Sequence, residues 1–299
     1  MGREPVEAIA ARCGVAAERG HTMAEYTTIG VGGPVAWVLK PDSIGKMGAL
    51  LSALRHEGWS PRVVGGGANL IAGAGPFDEP VILTRPIRHG PLFEANRVRA
   101  GCGVVLKKLV MMCVDQGLAG LEFAEGIPGT VGGTLYMNAG SYGGQISDVV
   151  REMSYFDADG ALRTRGVTPA DFGYRRSPLG SGDVVVEAVY ELTPGDPAEL
   201  RRRVTATAAR RSASQPPGER SAGCVFRNPP GDSAGRLIDQ LGLKGLAVGG
   251  ASVSAAHGNF IVNRGDATPE DVLGLIDSIK KEVRKRAGVE LQEEVIVWT

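Results

Sequence analysis

GLEFAEGIPGTVGGTLYMNAGSYGGQ, residues 120–145, holds eight glycines in 26 positions. A run this rich in glycine, without a Gly-X-Y period, serves turns and close backbone approaches. Residues without a Cβ let several backbone N–H groups converge on one anion. A second segment of the same character, GGGANLIAGAG at 65–75, follows the strand-like stretch Pro61–Val64. One such loop by itself is more often only a turn. Two of them, about sixty residues apart, suit a ligand with a pyrophosphate, such as a dinucleotide. Neither fits the named fingerprints. GGGANLIAGAG lacks the Lys-Ser/Thr of a Walker loop, and Gly65-Gly66-Gly67-Ala68 is not a GxGxxG opening a helix. The nucleotide is therefore expected outside P-loop and Rossmann folds.

The chain around these loops has 299 residues, with Lys+Arg and Asp+Glu at 33 each and a formal net charge of zero. That balance argues against a protein-wide electrostatic grip on nucleic acid or on acidic membranes. Hydrophobic residues are 43% and charged residues 22%, which fits a globular chain long enough to bury a large core. Glycine, at 44 residues, is about twice its usual share. Cys13, Cys102, Cys113 and Cys224 show no CxxC spacing and no clustering with histidine, so no metal is expected and the thiols are expected reduced. The N-terminus has no apolar core long enough for a signal peptide. No run approaches the ~20 apolar residues of a membrane span, and a cytoplasmic protein is expected.

Periodicity places the elements that flank the loops. Val105, Leu109, Met112 and Cys113 fall at helical spacing ahead of the glycine-rich run, as do Met47, Leu50, Leu51 and Leu54 within 43–57. Val6, Ile9, Ala10 and Cys13 read as a short first helix. Arg97–Gly101 reads as a strand, and strands at 150–157 and 161–166 flank the turn Ala158-Asp159-Gly160. In 184–192 the alternation puts Val184, Val186, Ala188, Tyr190 and Leu192 on one face and Glu187 and Glu191 on the other. ELRRRVTATAARR, following Asp196, is a basic helix that SASQPPGERSAG breaks. Its arginines read as a solvated face, with no interleaved aromatics to favour nucleic acid. Thr268 caps a last helix with Pro269 at its first position and Asp271 at its third. Gly288 ends that helix, and ELQEEVIVWT is a closing strand. The class is mixed α and β, with strands too scattered for one simple parallel sheet.

Several polar residues stand out within this frame. Arg175 in FGYRRSPLG carries a planar fork suited to a carboxylate or phosphate, although a surface arginine is the commoner case. Cys224 in SAGCVFRNPPG lies beside Arg227 and Asn228. A buried, inert cysteine is more usual, but Gly223 before it and a basic residue after it allow a reactive thiol. Glu293 and Glu294 are adjacent, and adjacent strand residues face opposite ways, so only one of them can point into a site. His257 has no metal-ligand spacing to its neighbours.

Taken together, these segments resemble the UDP-N-acetylenolpyruvoylglucosamine reductase family. The pieces occur in family order between Tyr26 and Val295: YTTIGVGGP, VVGGGANLI, the stretch GLEFAEGIPGTVGGTLYMNAGSYGG, FGYRRSP, SAGCVFRNP, AGRLIDQLGLKG, GGASVSAAHGNFIVN, ATPEDV and LQEEV. The resemblance implies an α+β fold. A two-lobed FAD-binding domain of the vanillyl-alcohol-oxidase (PCMH) type, residues 1–92 and 93–195, precedes a C-terminal α/β substrate-binding lobe, residues 196–299. The terminal strand returns to the active site. Tyr174 to Arg201 has little room for the tyrosine-bearing loop of the longer family type, so the shorter type is implied.

By the same resemblance, FAD is the cofactor and NADPH the co-substrate. The activity is reduction of the enolpyruvyl group of UDP-N-acetylglucosamine enolpyruvate to UDP-N-acetylmuramate. The catalytic trio maps onto Arg175, Cys224 and Glu294. Gly65, Gly66, Gly67, Ala68, Asn69 and Leu70, with Gly126, Ile127, Pro128, Gly129, Thr130, Gly132 and Gly133, are implied FAD contacts, with Asn138, Ala139 and Gly140 nearby. Tyr174, Arg227, Asn228, Lys244, His257 and Asn259 are implied substrate contacts, Arg227 and Lys244 meeting the diphosphate. Cys224 departs from the commoner serine, and Ser221 upstream is not at the donor position. A thiol, with pKa near ~8.5, gives up a proton more readily than an alcohol. The partners expected are these two small molecules, with neither nucleic acid nor membrane, and a monomer is expected. A related FAD oxidase or dehydrogenase with another substrate would share the glycine loops without requiring the trio. A non-catalytic relative would show losses in it.

Overall fold

The computed structural model describes residues 3–299. Two compact units interleave along the chain. The first comprises the chain up to Arg19 with Ala36–Gly66 and Asp78–Ala209; the second comprises Gly20–Val35, Gly67–Phe77 and Arg210–Thr299.

The first unit holds two larger sheets, besides the short pairs Leu118–Ala119 with Thr193–Pro194 and Gly140–Ser141 with Gly144–Gln145. One runs in the order Ala17–Glu18, Val38–Leu39, Val81–Leu83, Arg62–Val64, its last three strands parallel. The helix Ile44–His56 follows the second of these strands. Ser43 Oγ accepts from Lys46 N at its start, and Met47, Leu50, Leu51 and Leu54 are its buried stripe. The other sheet is antiparallel, in the order Leu162–Gly166, Val150–Phe156, Val184–Glu191, Arg97–Gly101, Leu92–Glu94. Its middle strand departs from the expected alternation, because Val185 and Val189 are buried along with Val184, Val186, Ala188 and Tyr190. A central strand covered on both faces buries both parities, and the helix Val131–Tyr136 packs on this one. Glu187, on the expected polar side, receives Arg99 Nη1 at 2.5 Å and His89 Nε2 at 2.8 Å. Leu106, Leu109, Val110 and Cys113 of the helix Leu106–Asp115 complete this core. Burial pushes the thiols of Cys102 and Cys113 up to about 12, so both are inert packing groups.

The basic helix spans Pro197–Ser214, three residues beyond Arg211, where it was expected to break. Gln215 N donates to Arg211 O at 2.9 Å, so the backbone ladder continues through the serines until Pro216, which has no N–H, stops it.

In the second unit an antiparallel sheet runs Arg220–Cys224, Phe260–Asn263, Ala251–Val253, Ala247–Val248. The helix Pro269–Ala287 packs Val272, Leu275, Ile276, Ile279 and Val283 into the core of this unit. The terminal strand Ile296–Trp298 pairs in parallel with Leu70–Ala72, which joins the end of the chain to the strand after the first glycine loop. A capping box between Thr268 and Asp271 starts the long helix. Replacing Thr268 with alanine is expected to lower unfolding free energy by about 1 kcal/mol, read as a drop in the urea midpoint at constant slope. Among the described residues, no helix is long and apolar enough to cross a membrane, and no group of three or more His, Cys, Asp or Glu side chains is arranged to hold a metal ion.

Candidate active site

Within the first unit the two glycine loops meet backbone to backbone. A Cβ on Gly66 would lie 2.6 Å from Gly129 Cα and 3.3 Å from Thr130 N, and one on Gly65 would lie 2.9 Å from Thr130 Oγ1. No side chain fits between these strands of backbone, so glycine is required for the approach. Thr130 is fully buried, and its hydroxyl has no hydrogen-bond partner among the described residues. Gly67 to Leu70 belong to the second unit. There Gly67 O accepts from Thr28 N at 3.0 Å, Asn69 Nδ2 donates to Glu294 O at 3.3 Å, and Asn69 O accepts from Ile296 N at 2.9 Å. The loop expected to hold the cofactor is thus tied directly to the segment that carries Glu294.

Arg175 sits in the first unit, in a two-residue turn closed by Gly173 N to Arg176 O at 2.9 Å and Arg176 N to Gly173 O at 3.1 Å. Its φ is +54°, in the left-handed region at a turn position that ordinarily takes Gly or Asn. Such strain persists only where the surroundings enforce it. The guanidinium stacks over the Tyr174 ring at 5.2 Å and reaches Gly140 O at 3.5 Å. Asn138 supplies the enforcement. Its Nδ2 donates to Gly173 O at 3.1 Å and to Gln145 Oε1 at 3.2 Å, and its Oδ1 accepts from Ser147 N at 3.0 Å. Both N–H groups of this buried side chain are spent inside the protein, and the backbone of Ala139 is engaged as well, its N donating to Thr134 O at 2.8 Å and its O accepting from Ile146 N at 3.0 Å.

Cys224 and Glu294 lie on neighbouring segments of the second unit. The strand Arg220–Cys224 pairs with Phe260–Asn263, but its register shifts between Ser221 and Cys224, with Gly223 at φ +78°. The bulge re-aims the thiol relative to the strand before it, and Cys224 is half-buried. Glu294 N donates to Val225 O at 2.7 Å. Its side chain is turned inward, at 8% exposure, while Glu293 pairs with Lys280 Nζ at 2.7 Å. Of the two adjacent glutamates, Glu294 is the buried one.

The expected substrate contacts divide. Tyr174 and Arg227 are exposed. Lys244 is paired with Asp239 at 2.7 Å, and Asn228 Oδ1 accepts from Ala234 N at 3.1 Å at the start of the helix Ala234–Gln240. His257 stacks edge-on against Phe260 at 4.9 Å, and its Nδ1 accepts from Asn259 N at 3.1 Å. Burial, then the nearby Lys244 charge, holds its pKa below the usual histidine value. Asn259 is buried, and its amide is bonded to the backbone of Phe226. Thr28, absent from the expected set, donates to Ser221 O at 2.6 Å and so ties the first glycine loop to the Cys224 strand. Its only signal in the sequence is its place in YTTIGVGGP.

The profile described as FAD binding domain matches residues 34–166, and that described as UDP-N-acetylenolpyruvoylglucosamine reductase, C-terminal domain matches residues 215–298. A UDP-N-acetylenolpyruvoylglucosamine reductase from Geobacter metallireducens is 42% identical over 277 residues, covering 93% of this chain and 92% of the relative. The chain belongs to the UDP-N-acetylenolpyruvoylglucosamine reductase family. A reductase of that name from Alkalilimnicola ehrlichii is 44% identical, with 91% of each chain covered. The crystal structure of the UDP-N-acetylenolpyruvylglucosamine reductase from Thermus caldophilus superposes with a TM-score of 0.81 at 37% identity, over 95% of this chain and all of that one.

The fold is accordingly α+β, with an FAD-binding domain ahead of the C-terminal domain of the reductase family. The cofactor is FAD. The residues present fit it, since the hydroxyl of Thr130 is buried with no partner among the described residues, and it sits where the two glycine loops pack so closely that a Cβ on Gly65 or Gly66 would strike Thr130 or Gly129. Gly66→Ala is expected to give a protein that purifies without flavin. A protein still yellow, with wild-type flavin content by absorbance after gel filtration, would show that the close Gly66–Gly129 approach is not needed to hold flavin.

Proposed function

We propose that this protein reduces the enolpyruvyl ether of UDP-N-acetylglucosamine enolpyruvate to the lactyl ether of UDP-N-acetylmuramate, using NADPH, in the cytoplasm. Residues 1–92 and 93–195 form the two FAD lobes, and residues 196–299 bind the sugar nucleotide. Bound FAD supplies a hydride taken from NADPH to C3 of the vinyl group. As C3 gains that hydride, the electron pair of the double bond moves to C2 and onto the substrate carboxylate. Arg175 holds this carboxylate through its planar fork, an interaction that strengthens as charge builds and so lowers the barrier. Glu294, held inward beside the Cys224 segment, helps orient the same group. Cys224 then gives its proton to C2, which leaves a thiolate that solvent reprotonates. Arg227 and Lys244 place positive charge for the diphosphate in a chain of no net charge; Tyr174, Asn228 and His257 complete the sugar-nucleotide contacts, with Asn138, Ala139 and Gly140 near the FAD loops.

The observation that carries this reading is the pairing in the second unit: the bulge at Gly223 aims the thiol, and the bond from Glu294 N to Val225 O sets the carboxyl on the adjacent segment. Such a pair suits proton delivery next to a developing carboxylate charge. The test is substrate-dependent oxidation of NADPH by the flavin-loaded protein, with mass spectrometry of the product. The expected product is heavier than the substrate by one hydride and one proton. NADPH oxidation that ignores the substrate would oppose the reading.

A further inference from the structure

The strand Phe260–Asn263 is the backbone neighbour of Arg220–Cys224, but it begins at Phe260, level with Cys224. Two residues further along, Phe226 has no strand on that side. It is 1% exposed, so its N–H and C=O would be buried and unpaired, which costs more than an ordinary hydrogen bond returns. Asn259 fills the gap. Phe226 N donates to Asn259 Oδ1 at 2.8 Å, Asn259 Nδ2 donates to Phe226 O at 2.8 Å, and Val225 N donates to Asn259 O at 2.9 Å. A carboxamide carries the same donor and acceptor as a peptide group, so one side chain extends the sheet by one residue. Asn259 is itself 3% exposed. On its other edge the same segment is fixed by Arg227 N to Gln292 O at 2.8 Å and Glu294 N to Val225 O at 2.7 Å.

We propose that Asn259 is a positioning residue for proton transfer: by clamping both polar backbone groups of Phe226 it seats Cys224–Arg227 against Gln292–Glu294 and fixes the spacing of the thiol and the carboxyl. The proposal rests on the roles assigned above to Cys224 and Glu294. It also assigns the Asn259 amide to the protein backbone instead of to the substrate.

Asn259→Asp tests it. An ionised carboxylate keeps the acceptor for Phe226 N but turns an oxygen toward Phe226 O, whereas the protonated acid restores the donor. The buried site pushes this carboxyl above the usual carboxylate range. Re-oxidation of NADPH-reduced flavin by the enolpyruvyl substrate is expected to fall on the order of 10²-fold at neutral pH, as for a small misplacement of a reacting group. The deficit relative to wild type should shrink as pH falls, while reduction of the flavin by NADPH stays at the wild-type rate. The charged and titratable groups on the packed elements are His257 on the same turn with Lys244 near it, Arg236 and Asp239 on the helix Ala234–Gln240, and Arg220, Cys224, Arg227, Glu293 and Glu294 on the flanking segments. Wild type measured at each pH removes their contribution. Asn259→Ser, which cannot bridge both groups, should show the selective loss without recovery at low pH, and it decides the matter if the aspartate variant does not fold. Asn263→Asp is the control for a buried asparagine elsewhere in the sheet, which bonds Ile29 O, and should show no selective loss. Equal losses in both half-reactions, or a re-oxidation rate unchanged by Asn259→Ser, would overturn the proposal. Cys224→Ala is run alongside: normal re-oxidation in that variant would count against the catalytic assignment itself and not against the clamp.

Discussion

Cys224→Ala is expected to bleach with NADPH as fast as wild type and then to stay bleached when the enolpyruvyl substrate is added, with re-oxidation slowed about 10³-fold, within the range for loss of a general acid. The two half-reactions separate because the thiol acts only on C2, after the hydride has been accepted. Cys224→Ser should retain much of the second step, since a hydroxyl at the end of the same bulge reaches the same point. The buried thiols supply the contrast. Cys102 and Cys113, pushed up to about 12 by burial, should resist alkylation under conditions where Cys224 reacts and activity is lost. Stopped-flow absorbance of the flavin in each variant checks the first pair of outcomes. A Cys224→Ala enzyme that recovers its colour at the wild-type rate would remove the thiol from the mechanism.

The second large effect is expected at Arg175. Arg175→Lys keeps a positive charge but loses the planar fork, and it should slow re-oxidation on the order of 10²-fold. The position is held at φ +54°, and the turn that holds it is bonded to Asn138 through Gly173 O at 3.1 Å. The backbone is therefore set before the side chain is chosen, and lysine inherits the same direction. The loss then reports bidentate recognition of a carboxylate and not a change in where the residue points. Flavin content should match wild type. An Arg175→Lys enzyme with unchanged kinetics in both steps would show that charge alone is sufficient there.

Local rules made much of the frame legible. Ser43 and Thr268 announce helix starts, the leucine stripe after Ser43 announces a buried face, and Gly288 announces a helix end, because each depends on neighbours within one or two turns. The strand Val184–Glu191 was half legible. Its alternation gives one face, but burial of Val185 and Val189 depends on a helix and strands far away in sequence. The site divides in the same way. Arg175, Cys224 and Glu294 stand out through their motifs, and parity allowed only one of Glu293 and Glu294 to face inward. Which one does so follows from Lys280, on the long helix, taking the other. The bulge at Gly223 and the clamp by Asn259 were not legible, because both arise from the register between Arg220–Cys224 and Phe260–Asn263. An asparagine bonded to a backbone and an asparagine facing a ligand look alike in sequence; only the missing strand beside Phe226 separates them.

The central claim is that one flavin takes a hydride from NADPH and passes it to an enolpyruvyl sugar nucleotide held beside Cys224. Anaerobic visible absorption of the purified protein tests it most directly, with NADPH added first and UDP-N-acetylglucosamine enolpyruvate second. The account predicts a yellow protein that bleaches with the first addition and recovers its colour with the second. Flavin that bleaches and stays bleached in the presence of that substrate would contradict it.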